Sequence, residues 1–276
     1  MKKASLFVAT LLLLLSVALP AAHAVTRVIL ASTTSTQNTG LFDVLLPAYY
    51  NWTTLKDVRI DVVAVGTGKA IETAKRGDAD LLLVHDREKE DAFLAGGYGL
   101  ERRDVMYNDF VVVGPPSDPA KARKAKSASE AFRLVAASGA AFVSRGDESG
   151  THAREKMMWK TAGVDMNTLK NYLSVGQSME AALRITDEKA AYTLSDRATY
   201  RSMKDSLKNL TLLYEGDPAL FNQYGTIPVN PAKFPHVHYK EAMDFIEFIT
   251  GPAGQKVIGD FKDNHGNTLF IPNAKR

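Results

Sequence analysis

FVSRGDESGTH, residues 142–152, passes from apolar β-formers through a charged, glycine-containing turn into residues that open a helix. Ala140 to Val143 reads as a strand and Thr151 to Ala162 as a helix, so the stretch is a strand-to-helix turn. A helix start leaves four backbone N–H groups without partners and carries the positive end of the helix dipole, which suits it to an anion. Arg145 adds a rigid fork of N–H donors, Ser149 and Thr151 add hydroxyls, and Gly150 lets backbone approach closely.

Two more turns of the same kind lie upstream. Val28 to Leu30 reads as a strand, followed by the hydroxyl run Ser32-Thr33-Thr34-Ser35-Thr36 and a helix from about Gly40. Arg59 to Val65 reads as a strand, followed by Gly66-Thr67-Gly68-Lys69 and a helix over Ala70 to Arg76. A helix cap needs only one hydroxyl, so five in succession suggest donors for a ligand. Three donor-rich turns at the C-terminal ends of parallel strands make a ligand crevice in an α/β sheet.

The remaining pattern fits that class. Ala79 to Val84, Phe110 to Val113, Ala190 to Leu194 and Leu210 to Tyr214 are apolar runs, as in strands covered on both faces, and Thr226 to Val229 adds one more strand. Helices are expected at Glu88 to Leu94, from Ala120 to Lys126 onward, at Ser178 to Thr186 and at Tyr239 to Thr250. The turn formers Gly114 to Pro119 mark a crossing into a second α/β unit, and a tail that packs back on the first unit requires a second crossing.

Lys2, Lys3, the apolar run Leu6 to Leu19 and Ala22-His23-Ala24 read as a cleavable secretory signal over residues 1–24. The chain has no cysteine, hence no disulfide framework and no lipid-anchoring thiol, and the roughly 250 residues that remain suffice for one large or two ordinary domains. Lys and Arg total 34 against 31 Asp and Glu, and two of the lysines lie in the signal. So balanced a charge argues against a nucleic-acid surface. A soluble periplasmic protein is expected.

Several chemistries are excluded by spacing. Gly146 to Gly150 does not match the nucleophile elbow G-x-S-x-G. Gly66-Thr67-Gly68 has Ile71 where a dinucleotide fingerprint needs glycine, and Val63 and Ala70 break a P-loop. His236 and His238 have no acid or cysteine cluster beside them and read as ordinary surface histidines, and no metal site is expected. His85 and Asp86 read as a surface turn. His152 is expected to point away from the turn serines, leaving no nucleophile with a base.

In STTSTQNTGLFDVLLPAYY, VVAVGTGKA, GDADLLLVH, YGLERRDVMYNDFVVVGP, FVSRGDESGTH, YTLSDRATY and EGDPALFNQYGTIPVNP, the chain resembles the periplasmic tungstate-binding proteins of ABC importers. These belong to the type II solute-binding class, with the phosphate-, sulfate- and molybdate-binding proteins. The resemblance implies an α/β, two-lobed type II periplasmic-binding-protein fold, each lobe a mostly parallel sheet flanked by helices. Lobe I would hold residues 25–112 and 222–276, lobe II residues 113–221, and two crossover strands would join them. It implies that Thr34, Ser35, Thr67, Arg145, Ser149 and Thr151 contact the oxyanion, with Thr33, Gly68, Gly150, His85 and Thr193 as second-rank candidates. Asp147 would hold Arg145 from behind while Glu148 faces solvent. The implied ligand is tungstate, with molybdate as an alternative, and the implied partners are a membrane permease and its ATPase. No cofactor, no nucleic-acid partner and a monomer are expected. The rival expectations are a phosphate or sulfate receptor of the same fold and, from a different class, a phosphatase- or sulfatase-type enzyme.

Overall fold

The computed structural model describes residues 25–275; the expected signal at residues 1–24 lies outside the described residues. The strands are β1 (Thr26–Thr33), β2 (Val58–Val65), β3 (Leu81–Val84), β4 (Arg103–Gly114), β5 (Phe142–Ser144), β6 (Tyr172–Ser174), β7 (Thr193–Asp196), β8 (Thr211–Tyr214), β9 (Phe221–Pro228) and β10 (Ile271–Pro272). The helices are α1 (Thr34–Asn38), α2 (Leu41–Trp52), α3 (Thr67–Lys75), α4 (Arg87–Ala95), α5 (Ala128–Ser138), α6 (Gly150–Thr161), α7 (Met179–Glu188), α8 (Arg197–Met203), α9 (Tyr239–Thr250) and α10 (Pro252–Asp260).

β1, β2 and β3 are parallel, and β9 runs antiparallel to β3 and to the first half of β4. β4 changes partners along its length: Arg103 to Asp109 pair with β9, whereas Phe110 to Val113 pair with β7, and the end of the strand also pairs with β8. β5 and β6 form a second parallel ladder, bridged to this part of the sheet between Phe142 and Tyr192. Arg197 bonds both carboxylate oxygens of Asp109, at 2.5 and 2.6 Å, and also pairs with Glu215 where β4 changes partners.

Apolar residues follow strand periodicity on both faces. Val28 and Leu30 pack against α2, α9 and α10 through Leu45, Phe245 and Ile258, while Ala31 on the other face meets Ala70 and Ile71 of α3. In β4, Phe110 and Val112 face Phe132, Phe142 and Trp159, and Val111 and Val113 face Met179 and Leu183. Trp159 of α6 stands edge-on to Phe132 of α5 and to Phe142 of β5, with centroids 4.5 and 4.9 Å away. Such pairs contribute about 0.5–1.5 kcal/mol each beyond area burial, and here they fix α6 against the strand that precedes it.

The helix expected from Ala120 onward begins instead at Ala128. Asp118 accepts the N–H groups of Ala122 and Arg123, Lys121 takes a left-handed φ of 59°, and Ser127 caps α5 by accepting from Glu130 N at 3.1 Å. The polar first half of β4 and the Gly- and Pro-containing α10 were not expected. Both are held by long-range contacts that leave no local period.

Candidate functional site

In the first turn Thr33 caps α1. Its Oγ1 accepts from Thr36 N at 3.3 Å and lies 2.8 Å from Thr36 Oγ1 and 3.1 Å from Ser35 Oγ. Thr39 Oγ1 donates to the Thr36 carbonyl at 2.8 Å. Part of the hydroxyl run therefore serves its own backbone. The half-buried Thr34 side chain has no hydrogen bond among the described residues, and buried Ser35 has only its contact with Thr33.

In the second turn Gly66 occupies the cap position of α3 without a side chain to fill it. Thr67, the first helical residue, is fully buried, and its Oγ1 is unpartnered. In the third turn Ser149 caps α6, accepting from His152 N at 3.3 Å, and its own N–H goes to Asp147 Oδ1 at 3.2 Å. Asp147 Oδ2 accepts from an Arg145 terminal nitrogen. Both carboxylate oxygens are thereby engaged from within the turn, and Asp147 holds Arg145 as expected. Arg145 is 3% exposed, and its Nε is unpartnered, as is Oγ1 of buried Thr151.

Glu148 turns outward, its side chain 64% exposed and 2.9 Å from Lys156. Gly146 has φ 61°, and a Cβ there would stand 1.9 Å from Ser174 Oγ, so only glycine makes this bend.

The second and third turns face each other. A Cβ on Gly66 would lie 3.6 Å from the Asp147 carbonyl oxygen, and one on Gly68 would lie 3.4 Å from that of Glu148. Lys89 Nζ donates to the same Glu148 carbonyl at 3.1 Å. His85 and Asp86 do not form a surface turn. His85 is buried, and its ring and carbonyl would lie 3.0 Å from a Cβ on Gly150; Asp86 caps α4, and its side chain is 8% exposed. His85 Nδ1 is 2.9 Å from Asn222 Oδ1, and the ring stacks on Tyr224 at 4.6 Å.

Thr193 is not brought to the site as a donor, since its hydroxyl goes to the Val143 carbonyl at 2.7 Å. His152 does not point away but is buried against the turn, where its Nδ1 accepts from Glu148 N at 3.1 Å. His236 Nε2 is 2.8 Å from the Gly77 carbonyl, and no cluster of three metal-ligating side chains occurs among the described residues.

The site thus combines unpartnered buried donors on Thr67, Arg145 and Thr151 with two facing helix N-termini. Each unsatisfied buried donor costs about 1–3 kcal/mol, so the arrangement suits a ligand made mainly of acceptors. Thr67→Val, which keeps the shape and removes one donor, is expected to weaken oxyanion binding by about 10- to 150-fold. Its unliganded melting temperature should hold or rise. Calorimetric titration and thermal melting check both.

The family model described as a PBP superfamily domain matches residues 20–253. A Haloferax volcanii protein named a putative ABC transporter anion-binding protein is 48% identical over 250 residues, 89% of this chain and 71% of that protein. The tungstate-binding protein TupA of Peptoclostridium acidaminophilum is 44% identical, covering 90% of this chain and 86% of its own. The chain belongs to the PBP superfamily, among the TupA tungstate-binding proteins. The crystal structure of the tungstate ABC transporter from Geobacter sulfurreducens superposes with TM-score 0.78 at 49% identity, over 86% of this chain and all of that one. The tungstate-binding protein TupA from Desulfovibrio alaskensis G20 gives the same TM-score at 43% identity, over 91% of this chain and all of that one.

In this PBP-superfamily chain a buried acid stands one helical turn behind Thr151. Glu155 Oε1 accepts from Tyr172 OH at 2.7 Å and from Trp159 Nε1 at 3.2 Å. Burial raises its carboxyl to about 7 against the incoming hydrogen bonds. A raised acid keeps its proton in the folded state while the unfolded chain releases it, so stability falls as pH rises from the ordinary carboxylate range to about 7. Glu155→Gln is expected to flatten that fall, gaining up to about 3 kcal/mol over wild type at pH 8. Melting curves from pH 5 to pH 8 decide it; parallel curves for the two proteins would contradict it.

Proposed function

We propose that this protein is a receptor that captures tungstate between its two lobes and delivers it to an ABC importer. The lobes are assigned to residues 25–112 with 222–276 and to residues 113–221, joined through β4 and β9. Thr34, Ser35, Thr67, Arg145, Ser149 and Thr151 are assigned as oxyanion ligands. The carrying observation is that buried donors on facing turns, Thr67 Oγ1, Arg145 Nε and Thr151 Oγ1, lack partners while both oxygens of Asp147, the carboxylate inside the third turn, are already occupied. A fully deprotonated oxyanion matches such a donor set, whereas a protonated phosphate needs an acceptor for its hydrogen.

Hydrogen bonds to a charged group contribute about 1.5–3 kcal/mol each, against several kcal/mol for burying the ion. Roughly six to eight such bonds would leave about −12 kcal/mol, or a Kd near 1 nM. Export through residues 1–24 places the receptor outside the cytoplasm, and a permease with its ATPase is the assigned partner. No helix among the described residues is long and apolar enough to cross a membrane.

Calorimetric titration of the dialysed protein with tungstate, molybdate, sulfate and phosphate tests the reading. Tight tungstate binding with no heat from sulfate or phosphate supports it. Tight phosphate or sulfate binding would replace the ligand, and no heat from any of the four would remove the receptor.

A further inference from the structure

We propose that His85 takes up a proton as the oxyanion binds, so that its Nε2 changes from acceptor to donor and affinity for the anion falls as pH rises. This rests on the reading of the cleft as an oxyanion site. His85 follows β3 and presents its ring to Gly150, the residue between Ser149 and Thr151. Behind the ring lies a chain of amides on the two crossover strands. Asn222 Nδ2 donates to Asn108 Oδ1 at 2.7 Å and approaches Tyr224 OH at 3.4 Å, which turns the Asn222 carbonyl oxygen to His85 Nδ1 at 2.9 Å.

With the Asn222 amide in this orientation, its oxygen takes an N–H from Nδ1, so a neutral ring carries its lone pair on Nε2. Nε2 has no hydrogen-bond partner among the described residues. Cε1, the ring carbon between the two nitrogens, would stand 3.0 Å from a Cβ on Gly150, so a dianion seated beside Gly150 lies close to the lone pair of a neutral ring and is repelled by it, whereas it attracts a protonated ring.

The groups around His85 set the balance. Burial is the largest influence and holds the imidazole below its ordinary range; Asp196 and Asp86 favour its cation, and Arg145 opposes it. Asn222 favours the cation through its hydrogen bond, while Tyr224 and Phe110 cover the ring without charge. An oxyanion held by Arg145 offsets that opposing charge and adds an attraction of its own. The ring's proton affinity is then higher with the anion than without it. Between those two values affinity falls about tenfold per pH unit as pH rises, and outside them it is flat.

The test titrates tungstate calorimetrically at pH 7 in two buffers of different ionisation heat, and follows the histidine ring nitrogens of ¹⁵N-labelled wild-type protein by NMR. Expected are a buffer-dependent heat and a shift of the His85 Nε2 signal toward the protonated form on adding tungstate. In His85→Gln the buffer dependence should vanish and affinity should stay flat from about pH 6 to about pH 8.5. Glu155→Gln, which removes the buried acid one turn behind Thr151, should keep the buffer dependence. Tungstate binding with buffer-independent heat and an unmoved His85 signal would overturn the proposal, the neutral ring then meeting the anion in its other tautomer. Absence of tungstate heat in any buffer would overturn the receptor reading itself.

Discussion

Arg145→Ala is expected to lower tungstate affinity by between about 30-fold and about 5,000-fold, the range for truncating one member of a buried, hydrogen-bonded charge pair. The guanidinium is 3% exposed, one terminal nitrogen is bound to Asp147, and Nε is free to donate. Removing it takes away the one cation of the turn and leaves Asp147 facing the anion. Asp147 would then repel what Arg145 attracted, so the loss should exceed that of any single hydroxyl. Because Arg145 lies in a turn and not in the apolar clusters around Phe142 and Trp159, the fold should persist. Titration beside circular dichroism separates the outcomes. Wild-type affinity in the folded variant would show that Arg145 does not touch the ligand.

Gly150→Val should cost at least about 100-fold in affinity by a different route. Gly150 opens α6 with ordinary helical geometry, so a side chain there does not strain its own backbone. The obstacle is across the cleft, where even a Cβ would stand 3.0 Å from the ring and the carbonyl oxygen of His85. A β-branched side chain cannot fit between them, and the helix start is pushed away from the turns that face it. Gly150→Ala should lose less, since a few tenths of an ångström of movement accommodates one methyl. Lys89→Ala, which removes the 3.1 Å contact to Glu148, should mainly speed release of the anion. Unchanged affinity in Gly150→Val would mean that the site forms without bringing Gly150 to His85.

Much of the site was legible in local sequence because helix N-termini are local objects. Ser149 two residues after Asp147, with Arg145 two before it, can exchange hydrogen bonds within one turn, and the structure shows that exchange. The same holds for the strands Val28 to Leu30 and Ala79 to Val84, whose apolar runs go with burial in the middle of the sheet, and for the edge strand Arg59 to Val65, of which Ile60 alone is buried. Glu148 could be assigned to solvent because a second carboxylate beside an anion is unfavourable wherever the turn goes.

What local sequence could not settle was which hydroxyls are spent and which remain. Thr33, Thr36 and Thr39 bond within their own segment, Thr193 bonds to a neighbouring strand, and Thr67 and Thr151 keep their donors free. A threonine looks the same in all three cases until its neighbours are placed. His85 reads as a turn residue in sequence, yet it is buried by a partner 137 positions away. Lys89 gains its contact from a carbonyl that no side-chain motif can announce. The sequence by itself determined the parallel strands, the three donor-rich turns and the Arg145–Asp147 pair, because each rests on periodicity or on spacing within a few residues. Tertiary structure alone decided which turns face one another and which donors stay unpaired, because strand pairing between distant segments positions those groups.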